Sequence, residues 1–227
     1  MHISTSLRDI CVVGNIASGK STLTELLAQA IPSSVAVPED FTQNPFLESS
    51  LNDPPRWAFT NAVRYFYDYA RVYQTMTQGQ TYAHHFIDAG AATNRFIYGR
   101  YMFDQGWVTP AEYELYEILC DVITRVYAYP DPDAYIFLDV APQVCFQRMQ
   151  ARMTSKSWQY QRPISPDYLA KLTAYFDRFR AELEAQRVPV LVLKRDTDDL
   201  MTPEGNAAIV AQVRAFLQKH SQDTQAT

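Results

Sequence analysis

The chain has 227 residues, 47% of them hydrophobic and 20% charged, with a formal net charge of −5. That length suits one domain with a full core, and the mildly acidic balance argues against polymeric nucleic acid or an anionic membrane as partner. No apolar run reaches the ~18 residues of a membrane helix, "MHISTSLRDI" lacks the apolar stretch of an export signal, and Cys11, Cys120 and Cys145 lie in apolar segments without ligand spacing. The expectation is a cytoplasmic protein with buried thiols.

"RDICVVG" is a β-branched apolar run ending at Gly14, the pattern of a buried strand. "KSTLTELLAQAI" places Leu23, Leu26, Leu27 and Ala30 at helical spacing, and Pro32 stops it. A second strand, "SVAVPED", is followed by one long predicted helix from "NDPPRW" to Gly79, with Asp53 as its cap and Pro54 in its first turn. "HHFIDAG" is the third strand. Helices are predicted over about 93–104 and 110–127, then the strand "DAYIFLDV" and the helix "PQVCFQRMQARM". A polar loop, about 153–163, precedes a helix capped by Ser165, the strand "VPVLVL", a last helix from 202 to 218, and a polar tail, 219–227, expected to fray. Strands alternating with helices predict a single α/β domain over 1–227 with a five-stranded parallel sheet covered on both faces.

Between the first strand and helix, Gly14-x-x-x-x-Gly19-Lys20-Ser21 is a phosphate-binding loop in its confirming context. Its glycines let backbone N–H groups converge on phosphate, and the helix N-terminus adds positive potential. Gly14, Asn15, Ala17, Ser18, Gly19, Lys20, Ser21 and Thr22 form the expected ATP cradle, with Lys20 on the outer phosphates and Ser21 on Mg²⁺. Ligands in such sheets bind beyond the carboxyl ends of the strands. Glu39 and Asp40 follow strand two and Asp88 ends strand three, which makes Glu39 the candidate base and Asp88 the candidate metal partner. Either could instead cap the next helix. Arg148 and Arg152, four apart before the polar loop, can close positive charge over ATP, as can Lys156 and Arg162; a solvated basic face is the alternative.

The order of motifs resembles the deoxynucleoside kinase family, especially its bacterial deoxyadenosine and deoxyguanosine kinases. "GNIASGKST", "PEDFTQNPFL", "DPPRWAF", "YIFLDVAPQVCFQRMQAR" and "DYLAKLTAYFDRF" carry the resemblance, over about 8–218. It implies a P-loop kinase fold with a lid, a homodimer, and transfer from ATP with Mg²⁺ to the 5′-hydroxyl of a deoxynucleoside. Lys20, Glu39 and Arg152 take the catalytic roles, and Asp196 in "KRDTDD" lies by the adenine. Trp57, Asn61, Ala62, Asp88 and Arg95 fall at acceptor-binding positions. The acceptor side also departs from the family: Ala89 stands for the arginine of an acidic-Arg-Ser triplet, Ala62 for a base-reading glutamine, and Leu51 for a sugar-holding tyrosine. Three readings follow: a kinase for a modified nucleoside or another small alcohol, an ordinary deoxynucleoside kinase, or a non-catalytic nucleotide-binding scaffold.

Overall fold

The computed structural model describes residues 7–39, 44–153, 164–194 and 202–222. Five strands, β1 (Asp9–Gly14), β2 (Ser34–Val37), β3 (His84–Asp88), β4 (Ala134–Asp139) and β5 (Val190–Lys194), form one parallel sheet in the order β2-β3-β1-β4-β5. The fold is the P-loop kinase α/β architecture expected from the sequence.

Alternation along the strands divides the core. Ile10 and Val12 of β1, Phe86 of β3, and Ile136 and Leu138 of β4 pack on one face against α1 (Lys20–Ala30) and α9 (Pro203–Gln222), through Leu23, Leu27, Val213 and Phe216. Cys145 joins them from α7 (Pro142–Met153). Their neighbours Cys11, Val13, Tyr135 and Phe137 face the other way, onto Leu172, Phe176 and Phe179 of α8 (Pro166–Ala185). A third cluster joins Val37 and Ile87 to α3 (Pro54–Thr77) and α6 (Pro110–Tyr127) through Ala62, Phe66, Tyr69, Tyr116 and Cys120. Burying each large apolar side chain contributes about 1.5–3 kcal/mol. All three cysteines are buried, and none is in a disulfide.

Several boundaries differ from expectation. The long helix begins at Pro54 and runs as α3 to Thr77, as expected, but a short helix not expected from the sequence, α2 (Leu47–Asn52), precedes it, with Asp53 between the two. Asp53 stands at the N-cap of α3, but its side chain makes no capping bond. The helix after β3 starts at Gly90 and runs as α4 (Gly90–Thr93), a π-helical stretch (Asn94–Gly99) and α5 (Arg100–Asp104). Gly99 is needed there, because a Cβ would lie 2.7 Å from the Tyr116 ring. α9 continues to Gln222, four residues beyond the predicted stop at 218, with Lys219 and His220 in its last turn, where basic groups favour a helix C-terminus. Thr109 and Glu112 form a reciprocal capping box at the start of α6.

At the amino end of the sheet, Tyr73 of α3 donates to Asp9 Oδ1 at 2.7 Å, and His85 Nδ1 lies 2.7 Å from the same oxygen. This buried trio ties α3 to β1 and β3 opposite the phosphate loop.

Candidate active site

β1 delivers Gly14 to the carboxyl edge of the sheet. A Cβ there would lie 2.8 Å from Ser18 Oγ and 3.0 Å from the Leu138 carbonyl, so the close turn of the loop admits only glycine. Ala17 (φ 61°) and Gly19 (φ 102°) are both left-handed, and Gly19 leads into α1. Asn15 is buried, and its amide donates to the Leu169 carbonyl at 2.8 Å and to Thr173 Oγ1 at 3.1 Å. Its side chain thus anchors the loop on α8. Lys20 Nζ curls back to the Asn15 carbonyl at 3.2 Å. Ser18 Oγ is buried with no partner, as a group awaiting a phosphate oxygen would be. Ser21 and Thr22 are exposed in the first turn of α1.

Strand register brings the carboxylates to this loop. Val12 pairs with Asp88 and Val37 with Ile87, so β2 and β3 end side by side, and Glu39 follows Pro38 beyond β2. Ser21 Oγ donates to Asp88 Oδ2 at 2.5 Å. Asp88 is buried, and its Oδ1 has no hydrogen-bond partner. Burial pushes its carboxyl above the usual range, while Lys20, the Ser21 bond and Arg152 pull the other way. Arg152 thereby acts on the site from α7. Burial likewise raises Glu39, opposed by Lys20. Tyr69 of α3 donates to Glu39 Oε1 at 2.6 Å. From the sequence, Tyr65, Tyr67, Tyr69 and Tyr73 of this helix could either offer hydroxyls to the acceptor or serve packing and an interface; the structure directs Tyr69 to Glu39 instead.

The orphaned Asp88 Oδ1 beside Ser21 fits a divalent cation. Mg²⁺ takes one or two protein oxygens and completes its shell with phosphate and water. Among the described residues no group of three or more His, Cys, Asp or Glu could hold a metal alone.

On the acceptor side, Trp57 stacks on Phe46 (centroids 5.8 Å apart) with the Arg56 guanidinium 4.4 Å from its ring centre. Asn61 Oδ1 accepts from the Asn44 amide at 2.9 Å, linking α3 to the segment after Glu39. Ala62 is 4% exposed, packed in the cluster that holds Val37, Tyr69, Ile87 and Ala89. Leu51 is half-buried on α2. Arg95 is directed to α6, where it pairs with Glu117 at 2.6 Å and Asp121 at 2.8 Å. Arg148 is half-buried on α7. Asp40, Lys156, Arg162 and Asp196, and all but the first residue of the 153–163 lid, lie outside the described residues.

A family model described as deoxynucleoside kinase matches residues 10–218. The chain belongs to the deoxynucleoside kinase family. It is 24% identical over 213 residues to the probable deoxycytidine kinase of fowlpox virus, covering 92% of this chain and 88% of that protein. It is also 24% identical over 210 residues to the deoxyadenosine/deoxycytidine kinase of Bacillus subtilis, covering 92% of both. Human deoxycytidine kinase is 22% identical over 246 residues, covering 94% of this chain and 92% of that protein.

Proposed function

We propose that this chain is an ATP- and Mg²⁺-dependent kinase that phosphorylates the hydroxyl of a nucleoside-like acceptor. The observation that carries the reading is the meeting of Ser21, Asp88 and Glu39 with Lys20 at the mouth of the phosphate loop. The acceptor oxygen bonds to the γ-phosphorus, the bond to the β–γ bridging oxygen breaks, and ADP leaves. The acceptor proton passes to Glu39. Lys20 and Arg152 balance the negative charge spread over the transferring group, and Ser21 and Asp88 would hold Mg²⁺, which would supply further positive charge to the phosphates. Retention of this set argues against a non-catalytic scaffold.

The relatives' names point to deoxycytidine and deoxyadenosine as acceptor chemistry. Leu51, Ala62 and Ala89 offer no polar side-chain contact to base or sugar, which favours an acceptor read differently from an ordinary deoxynucleoside. A phosphate-transfer screen with Mg-ATP over natural and modified nucleosides and small alcohols, with product detected by mass, tests this. Product from a modified nucleoside or other alcohol, with weak turnover of the common deoxynucleosides, supports it; efficient turnover of a common one returns the assignment to an ordinary deoxynucleoside kinase.

A homodimer completes the reading. Leu115, Ile118, Val122 and Val126 are 46%, 51%, 47% and 67% exposed and recur along one stripe of α6. A second copy would cover it. Val122→Glu should convert the dimer to monomer in light scattering. Among the described residues no helix is long and apolar enough to cross a membrane, and three buried cysteines outside any disulfide support an intracellular site of action.

A further inference from the structure

Glu39 stands two residues past the end of β2, beyond Pro38 and outside the strand ladder. Its long side chain has three rotatable bonds. A general base must lie within hydrogen-bond reach of the proton it takes, and a misplacement of about 1 Å can cost on the order of 10² in rate. The carboxylate therefore needs a support from elsewhere.

Tyr69 supplies one. It lies on a 24-residue helix, is 6% exposed, and packs with Ala62, Phe66, Ile87 and Ala89. Four residues on, Tyr73 fastens the same helix to Asp9. The Tyr69 hydroxyl thus comes from a body tied to the sheet, and it meets Glu39 Oε1 at 2.6 Å. The residue following Asp88, Ala89, brings only a methyl group into this cluster.

Resting on the kinase reading above, we infer that Tyr69 is a positioning residue, whose hydroxyl holds Oε1 of Glu39 so that Oε2 faces the acceptor's proton. Burial and the adjoining Glu39 hold the phenol well above its usual range, so it remains a neutral donor throughout turnover. The other groups around Glu39 are Lys20 from α1, Asp88 from β3 and Tyr98 from the π-helical stretch. A neutral donor orients the carboxylate with less loss of basicity than a second cation beside Lys20 would cause.

Tyr69→Phe keeps the ring and removes only the donor. The test is a double-mutant cycle with Glu39→Gln, reading kcat and the KM for Mg-ATP on whichever acceptor the wild type phosphorylates. The expected result is a fall in kcat of about 10–100-fold for Tyr69→Phe, with KM for Mg-ATP within about twofold. In the Glu39→Gln background the same change should alter kcat by less than about twofold, because no carboxylate is left to position. Equal factors in both backgrounds, or an unchanged kcat in the single variant, overturn the positioning role while leaving the kinase reading intact. A wild type that phosphorylates no acceptor overturns both.

Discussion

The Ser21 hydroxyl donates to Asp88 Oδ2 at 2.5 Å, joining the first turn of α1 to the end of β3 across 67 positions of sequence. The other Asp88 oxygen is buried without a partner. In the proposed kinase this pair would form one side of the divalent-cation site.

Asp88→Asn should separate stability from function. Burial raises the Asp88 carboxyl in the folded state, so its favourable contribution is present below the ordinary carboxylate range and is lost as pH rises through the raised value. At neutral pH the substitution removes a buried charge and keeps an acceptor for Ser21. The apo protein should melt about 2–4 °C higher for each kcal/mol recovered, while Mg²⁺-dependent turnover falls by roughly 10²-fold or more. Calorimetry and steady-state kinetics on one preparation check both. A lower melting temperature with full activity contradicts the assignment.

Lys20→Ala should weaken Mg-ATP binding by about 10–100-fold, the worth of about 1.4–2.7 kcal/mol from a charged contact. Its Nζ rests on the Asn15 carbonyl, a bond that ATP would exchange for its outer phosphates. Isothermal titration measures the affinity, and an unchanged value removes Lys20 from the cradle.

Ala62→Gln restores the family-type side chain at a position that is 4% exposed. Overpacking there costs about 1–3 kcal/mol, so the melting temperature should fall by several degrees. Turnover of deoxyadenosine, deoxyguanosine, deoxycytidine or thymidine should not improve. A gain for any of the four would show that the position opens toward the acceptor.

The phosphate-loop half of this candidate site is written in local sequence. Gly14 to Ser21 is contiguous, and its strand and helix flank it, so order along the chain was enough to place Lys20, Ser21, Glu39 and Asp88. The tyrosine support was not legible. Tyr65, Tyr67, Tyr69 and Tyr73 share one helix, and only its rotation against β2 decides that Tyr69 meets Glu39, 30 positions away. The ion pairs of Arg95 with Glu117 and Asp121 on α6 were not legible for a related reason, since its spacing from Asp88 carries no sign of α6. The short α2 escaped because six residues, LESSLN, carry too little apolar periodicity to register. The departures at Leu51, Ala62 and Ala89 were visible by comparison with the family pattern, but the burial of Ala62 in a packed cluster was not.

The central claim is that Glu39 takes the acceptor's proton beside a Mg-ATP cradle, and Glu39→Gln tests it most directly. The variant keeps the shape and the Tyr69 partner and removes the base. Rapid-mix measurement of phosphate transfer, on an acceptor that the wild type phosphorylates, should show the rate falling by roughly 10²–10⁴ with Mg-ATP affinity almost unchanged. The wild-type rate should rise with pH through a limb above the ordinary glutamate value of 4.5, since burial raises this carboxyl, and the variant should lose that limb. Retained transfer in Glu39→Gln, with the same pH limb as wild type, contradicts the account.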